Sequence, residues 1–283
     1  MAIAGIVVVL GSVIGGYVMH HGPLGVLWQP SEFIIIFGAA FGGVLISTPM
    51  KVQIALVGGV MNVLTGKNIS KTNYLELLTL LNEIFQMAKK DGLLVLESHV
   101  EKPEASSLFK KYPGFMHHHH AVEFLTDSAK IIIVGGVASH ELEALMDSDL
   151  DIHHEETARA PGALSKVADA MPGLGIVAAV LGIIITMGAI DGPPAVIGEK
   201  VGAALVGTFL GILASYGFIG PLAAGMETLN QDEAQYIQCI KAGLLAFEKG
   251  LSPMIAIEFA RRSIMGSERP GMKELEEALR KKK

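Results

Sequence analysis

The stretch "MPGLGIVAAVLGIIITMGAI", residues 171–190, decides the fold class of this chain. It contains no Asp, Glu, Lys, Arg or His, and a helix that crosses a bilayer needs roughly 20 mostly apolar residues. Three further stretches have the same character: 3–19, 33–50 and 201–226. The sequence therefore predicts an all-α polytopic membrane protein with four transmembrane helices and a helical cytoplasmic domain.

The composition agrees with a membrane protein and excludes several other classes. Of the 283 residues, 51% are hydrophobic, 6% are aromatic and 33 are glycine, a profile suited to helices that pack backbone to backbone. The net charge of −6 argues against nucleic acid as a partner. The single cysteine, Cys239, excludes an intrachain disulfide and is expected to be a small buried residue.

The distribution of Lys and Arg predicts the orientation. Of 22 such residues, eleven lie between the second and third spans and ten follow residue 226. The 20–32 loop has none, and the 191–200 loop has only Lys200. Because positive charge collects on the cytoplasmic side, both termini and the large loop are predicted to be cytoplasmic.

This layout predicts four parts. Transmembrane helices 1 and 2 occupy 1–50, a helical cytoplasmic domain 51–168, transmembrane helices 3 and 4 169–226, and a helical tail 227–283. Within the cytoplasmic domain, apolar residues recur at helical spacing over 73–90 until Asp91-Gly92 breaks the pattern. A further helix over 139–159 has an acidic face that is either solvated or a docking surface.

No enzymatic or metal-binding motif stands out. The run "HHHH" at 117–120 could bind a divalent metal, but it has no nearby Cys and its side chains would point in four directions around a helix. The "DIHHEE" stretch at 151–156 calls for the same caution. There is no phosphate-binding loop and no G-x-S-x-G, so neither a metal site nor a catalytic site is predicted.

The spans do carry a pattern of small residues, polar side chains and prolines. Glycines four residues apart predict close helix contacts. Hydroxyl side chains inside the spans are expected to bond carbonyl groups of their own helix: Ser12, Thr186, Thr208 and Ser215. Pro172 is compatible with a harmless helix start, whereas Pro221 should kink or hinge a continuing helix.

An ion pathway through the hydrocarbon needs an ionisable group, and none lies within the four predicted spans. Two interpretations follow. Either the protein is a passive scaffold, or a partner helix supplies a carboxylate to the small-residue surfaces.

Six motifs follow one another along the chain: "LGSVIGGYVM" (10–19), "GPLGVLWQPSE" (22–32), "ELEALMD" (141–147), "MPGLGIVAAVLG" (171–182), "VGTFLGILASYGFIGPLA" (206–223) and "IAIEFARRSI" (255–264). In this order and spacing they resemble the motifs of the MotA family, the A subunits of bacterial flagellar stators. The resemblance extends along nearly the whole chain.

The resemblance implies a proton-conducting motor subunit of the bacterial inner membrane. In that family, five A subunits are thought to surround a dimer of the B subunit (MotB-like), whose single span carries the ion-binding aspartate. Ion passage is thought to rotate the A ring, which pushes the rotor protein FliG. The implied partners are thus the B subunit, FliG, further copies of this chain and the lipid bilayer. The translocated proton takes the place of a cofactor.

The resemblance also implies roles for individual residues. Pro172 and Pro221 match two functional prolines, and Thr208 matches a threonine lining the pore. Ala179 stands where sodium-type relatives have threonine, which favours protons. Rotor contact is implied for a basic residue at Lys89 or Lys90 and for the acidic Glu97.

Two alternatives stay open at this point. One is an energy-transducing subunit of the ExbB/TolQ class, whose members have three spans and a differently placed cytoplasmic domain. The other is a membrane scaffold without ion flux, which fits the uncharged spans equally well.

Overall fold

The computed structural model describes residues 1–281, and throughout this range the regular elements are helical. Two compact units are present, each formed by two stretches of chain. Within the described residues, the membrane unit contains 1–67 and 157–228, and the core unit contains 68–156 and 229–281. The predicted all-α architecture is confirmed.

The helices are named in chain order. They are α1 (Ala2–Met19), α2 (Leu24–Leu27), α3 (Pro30–Ser47), α4 (Met50–Thr65), α5 (Lys71–Asp91), α6 (Glu97–Glu101), α7 (Pro113–Met116), α8 (His119–Val134), α9 (Ser139–Met187), α10 (Pro194–Ile212), α11 (Gly220–Glu248), α12 (Pro253–Ser263) and α13 (Met272–Lys281). Short 3₁₀ helices occupy Leu93–Leu96 and Phe109–Lys111, and a π-helical segment occupies Leu213–Ile219.

Four helical stretches among the described residues are long and apolar enough to cross a membrane. They are Ala2–Met19, Leu24–Ser47, Ser139–Met187 and Pro194–Glu248. Large apolar side chains such as Ile34 and Ile185 are 73% and 68% exposed on them, as expected of surfaces that face lipid. The four predicted spans are confirmed by the length and composition of these helices.

The third span belongs to a longer helix than the sequence suggests. Residues 139–159 and 171–190 read as two elements, yet α9 runs without interruption from Ser139 to Met187 with Pro161 and Pro172 inside it. The interpretation of Pro172 as a helix-start proline is therefore wrong. A proline removes one backbone donor, and the remaining hydrogen bonds of a 49-residue helix maintain its continuity.

The membrane unit includes more than the spans. The α4 helix, which follows the second span, packs Val52, Leu56 and Val63 against a cluster that contains Leu164 and Met226. Residues 51–67 and 157–168 therefore lie in the membrane unit, whereas the sequence placed them with the cytoplasmic domain.

The core unit is built around α5. A capping box begins this helix, because the side chains of Ser70 and Asn73 each accept a hydrogen bond from the backbone N–H of the other residue. The predicted apolar face is buried at Leu81 and Phe85, and the Phe85 ring stacks on Phe247 at 4.5 Å. Packing of α5 against other helices thus forms the core, as amphipathic patterning requires.

The acidic face of 139–159 is used within the chain. The Lys241 side chain on α11 is only 7% exposed and pairs with Asp147, while Lys249 lies 3.5 Å from Glu143. The hydroxyl of Ser139 donates to Glu248 at 2.5 Å. This face is therefore partly an internal docking surface, rather than a solvated face alone.

Candidate functional site

The helices α9 and α10 approach so closely that only glycine fits between them. A Cβ on Gly175 would lie 2.8 Å from the carbonyl oxygen of Gly207, and one on Gly211 would lie 2.6 Å from that of Met171. Such distances are too short for any side chain, so glycine lets the two backbones touch. Small residues of the third span were expected to receive a helix of another subunit. In the structure, Gly175 and Gly182 pack against α10 of the same chain.

Ala179 and Thr208 lie at this contact. The backbone nitrogen of Ala179 is 3.1 Å from the position that a Cβ on Gly207 would take. The Cα of Thr208 is 3.3 Å from the corresponding position on Gly175. Both side chains are partly buried. Two of the residues singled out from the sequence thus each lie where α9 meets α10.

Pro172 has a direct structural partner that the sequence does not reveal. Proline has no N–H, so the carbonyl of Ala168, four residues earlier, lacks its usual helical donor. The hydroxyl of Ser215 donates to that carbonyl at 2.7 Å. Ser215 was expected to bond its own helix, and that expectation is wrong for this residue. It holds for Thr186, which donates to Gly182 at 2.8 Å.

The π-helical segment Leu213–Ile219 ends directly before α11, which begins at Gly220. The N–H of Gly220 bonds the carbonyl of Ser215, five residues earlier. Pro221 follows, exposed on α11. Pro221 therefore lacks an N–H where backbone hydrogen bonds to the residue five positions earlier give way to bonds to the residue four positions earlier. Turns of π-helix are common at functional sites. The helix is therefore irregular directly before Pro221, whereas the kink or hinge expected at this proline stays a prediction.

Glu32 is an ionisable residue inside the bundle that the sequence analysis missed. It lies in the first turn of α3 and is 6% exposed. Its Oε2 is 2.6 Å from the position of a Cβ on Gly207, and its Oε1 is 3.8 Å from that on Gly182. The second span was taken to begin at residue 33, so the inference that the spans supply no ionisable group is wrong. Pro30, at the first position of α3, is the local signal that places Glu32 within the helix.

Comparisons with known proteins identify the family. The family model "Motility protein A N-terminal" matches residues 3–92, and "MotA/TolQ/ExbB proton channel family" matches residues 116–239. Motility protein A of Escherichia coli is 37% identical over 280 residues, which cover 99% of this chain and 95% of that protein. The chain belongs to the MotA family. Chemotaxis protein LafT of Vibrio parahaemolyticus is 38% identical over 97% of this chain and 96% of its own length.

Solved MotA-family structures share the fold. The structure of C. jejuni MotAB matches with a TM-score of 0.78 at 20% identity, over 96% of this chain and 98% of that chain. The flagellar MotAB stator complex from Bacillus subtilis matches with a TM-score of 0.73 at 22% identity, over 91% and 93%. The family models and the 37% and 38% identical relatives confirm the resemblance to MotA stator subunits and membership of the proton channel family, and these structures confirm the fold. The chain is a multi-pass membrane protein.

The residues that the MotA resemblance assigns to rotor contact are exposed on the core unit. Lys89 and Lys90 lie in the last turn of α5, and Glu97 begins α6. Between them Gly92 has a φ of +89°, which allows the sharp turn after Asp91. The apolar side chain of Leu94 is 74% exposed beside them. This segment therefore presents both charges and apolar surface to solvent.

The four-histidine run does not form one cluster. The ring of His118 packs 5.0 Å from that of Tyr236, and burial lowers the pKa of His118. The ring of His120 lies 4.6 Å from that of His153 beside a cavity of about 120 Å³. Among the described residues, no group of three or more His, Cys, Asp or Glu side chains is placed to hold a metal ion.

Proposed function

We propose that this protein is the proton-conducting A subunit of a flagellar stator in the bacterial inner membrane. Together with a MotB-like B subunit, it would couple proton flow to torque on the rotor. The observation that supports this proposal is the close contact of α9 and α10, which includes Ala179 and Thr208, in a chain 37% identical to motility protein A. The translocated proton is the only ligand that this role requires, and no hydrolytic chemistry takes part.

The partner's membrane aspartate would take up and release the proton at the surface formed by α9 and α10. The side chain of Ala179 offers no hydroxyl oxygen to a metal cation, which supports proton rather than sodium transport. Five copies would surround the B-subunit dimer, with both termini and the core unit in the cytoplasm. Lys89 or Lys90, together with Glu97, would contact the rotor protein FliG.

Pro172 would let α9 change shape as the partner's aspartate is protonated. Pro172 has no N–H to donate to the Ala168 carbonyl, and the Ser215 hydroxyl donates to it instead. This hydrogen bond connects α9 to the π-helical segment before Pro221. An alanine at position 172 would supply the missing N–H, which would compete with Ser215 for the same carbonyl. The two proline sites would then be uncoupled.

This proposal predicts that Pro172→Ala abolishes swimming while the protein still inserts into the membrane. Pro161→Ala is the matched control, because it makes the same change elsewhere in α9. Swimming and membrane-fraction immunoblots measure the two effects. Normal swimming of the Pro172→Ala strain would contradict the proposed role of this proline.

Proton conductance separates the stator from a passive scaffold. The chain is co-expressed with its MotB-like partner from which the periplasmic plug has been removed, and the cytoplasmic pH is followed with a fluorescent indicator. We expect the cytoplasm to acidify only when both subunits are present. An unchanged pH would favour the scaffold, and rescue of outer-membrane transport instead of motility would favour the ExbB/TolQ class.

A further inference from the structure

Glu32 is a buried acid, and the described residues supply no hydrogen-bond partner to its Oε2. Its Oε2 has no hydrogen-bond donor, and no ion pair joins the carboxyl to a cation among residues 1–281. An isolated carboxylate in such surroundings costs several kcal/mol, which favours the neutral form of such a group over the charged one. Lys200, the only lysine or arginine on α10, forms no ion pair with it.

Acids with a structural role in this chain look different. Glu76 accepts hydrogen bonds from the N–H groups of Gly114 and Phe115 at 3.0 and 3.4 Å. Glu258 accepts from two guanidinium groups, those of Arg261 and Arg262. Among residues 1–281, the Oε2 of Glu32 has no such donor, although a buried acid that merely stabilised the fold would need one. No donor at this oxygen therefore holds the carboxyl in its ionised form.

The position of this carboxyl coincides with the α9–α10 contact. A Cβ on Gly207 would lie 2.6 Å from the Oε2 of Glu32 and 3.1 Å from the backbone nitrogen of Ala179. Thr208 is the next residue on α10. The one buried acid of α3 thus reaches the same place as the two residues assigned to the ion path.

We propose that Glu32 is a proton-relay carboxyl of this chain, which lies before the partner's aspartate on the ion path. The inference rests on the proposed function. A hydronium ion on the side of the 20–32 loop gives its proton to the Glu32 carboxylate and leaves as water. The Glu32 carboxyl then gives this proton to the carboxylate of the partner's aspartate and is ionised until the next proton arrives.

Replacing the acid tests the relay in the intact complex. Glu32→Gln keeps the size of the side chain but cannot release a proton, so proton flux through the complex with the unplugged partner should fall at least about tenfold. Glu32→Asp keeps an ionisable group and should retain part of the flux. Glu199→Gln is the matched control, because Glu199 is an exposed acid near the start of α10. Co-purification with the B subunit checks assembly.

The outcomes distinguish this inference from the proposed function. If the unsubstituted complex carries no proton flux, the proposed function fails. If it conducts and an assembled Glu32→Gln complex conducts equally well, the relay alone is overturned. A loss of flux confined to Glu32→Gln, with assembly preserved, supports the relay.

A second measurement needs no variant. Dicyclohexylcarbodiimide reacts with protonated carboxyl groups in apolar surroundings, and the adduct is located by mass spectrometry of peptides from the treated complex. We expect an adduct at Glu32 and none at Glu199, with proton flux lost in proportion to the modification. A complex that loses no flux while Glu32 is fully modified, or that leaves Glu32 unmodified, would overturn the relay.

Discussion

At the scale of single residues, one hydroxyl compensates for one missing amide. Ser215 donates to the Ala168 carbonyl, which lacks its usual donor because residue 172 is proline. Ser215 is 2% exposed, so water cannot replace it. Buried carbonyl groups without a donor are costly, and this bond therefore stabilises both α9 and the π-helical segment.

Ser215→Ala should destabilise the protein. The carbonyl would lose its only replacement donor, at a cost of about 1–3 kcal/mol. This corresponds to a midpoint of thermal unfolding lowered by roughly 2–10 °C, measured by circular dichroism in detergent. Ser47→Ala serves as the control, because the Ser47 hydroxyl bonds a carbonyl of its own helix and is exposed. Equal midpoints for the two variants would show that the Ser215 bond contributes nothing.

At the scale of helices, the sequence predicts what depends on neighbours along the chain. The apolar windows predict four spans, and the Asp91-Gly92 break predicts the end of α5, where Gly92 indeed takes a positive φ. The donor that replaces the missing N–H of Pro172 was not predictable in this way, because Ser215 lies 43 residues later in the chain. The burial of Glu32 likewise depends on glycines of two other helices. Such contacts leave no periodic signal near the residue concerned.

The pairing of α9 with α11 in the core unit gives a prediction at this scale. Asp147→Asn would leave Lys241, 7% exposed, without its anion. Asp147 itself is 54% exposed, so solvent reduces the cost, which we expect to be about 1–2 kcal/mol. Chemical denaturation of the purified protein measures this loss.

The neighbouring pair provides the control. Glu143→Gln removes an ion pair that is about half exposed on both sides, and it should change the stability by less than about 0.5 kcal/mol. Adding Lys241→Met to Asp147→Asn removes the unpaired cation and should recover stability. If Asp147→Asn and Glu143→Gln behave alike, the burial of Lys241 has no energetic consequence.

At the scale of the whole molecule, the charges and the buried acid are divided between the two units. The membrane unit contains Glu32 and the contact of α9 with α10, whereas the core unit presents Lys89, Lys90 and Glu97 to solvent. Exposed charges of this kind act mainly by steering and orienting a partner. Their reversal is expected to alter rotor coupling without affecting the fold.

Lys89→Glu should reduce swimming, and a compensating charge reversal in FliG should restore it. Lys90→Glu tests the register of this contact, and Lys110→Glu is a control at another exposed lysine of the core unit. Swarm-plate expansion and co-purification with the B subunit are the measurements. If Lys90→Glu is harmful and Lys89→Glu is not, the contact belongs to Lys90. If all three behave alike, this segment does not contact the rotor.

The close approach of Glu32 to Gly207 has a consequence for how the two positions vary among relatives. The space that a side chain at 207 would fill is occupied by the carboxyl of residue 32, whose Oε2 lies 2.6 Å from the absent Cβ. A homologue with alanine or a larger residue at 207 cannot keep a glutamate at 32 in this pose, whereas the backbone nitrogen of Ala179, 3.1 Å from the same point, requires glycine there with or without the acid. An acid at 32 should therefore be found only in relatives with glycine at 207, although 175 positions separate the two sites.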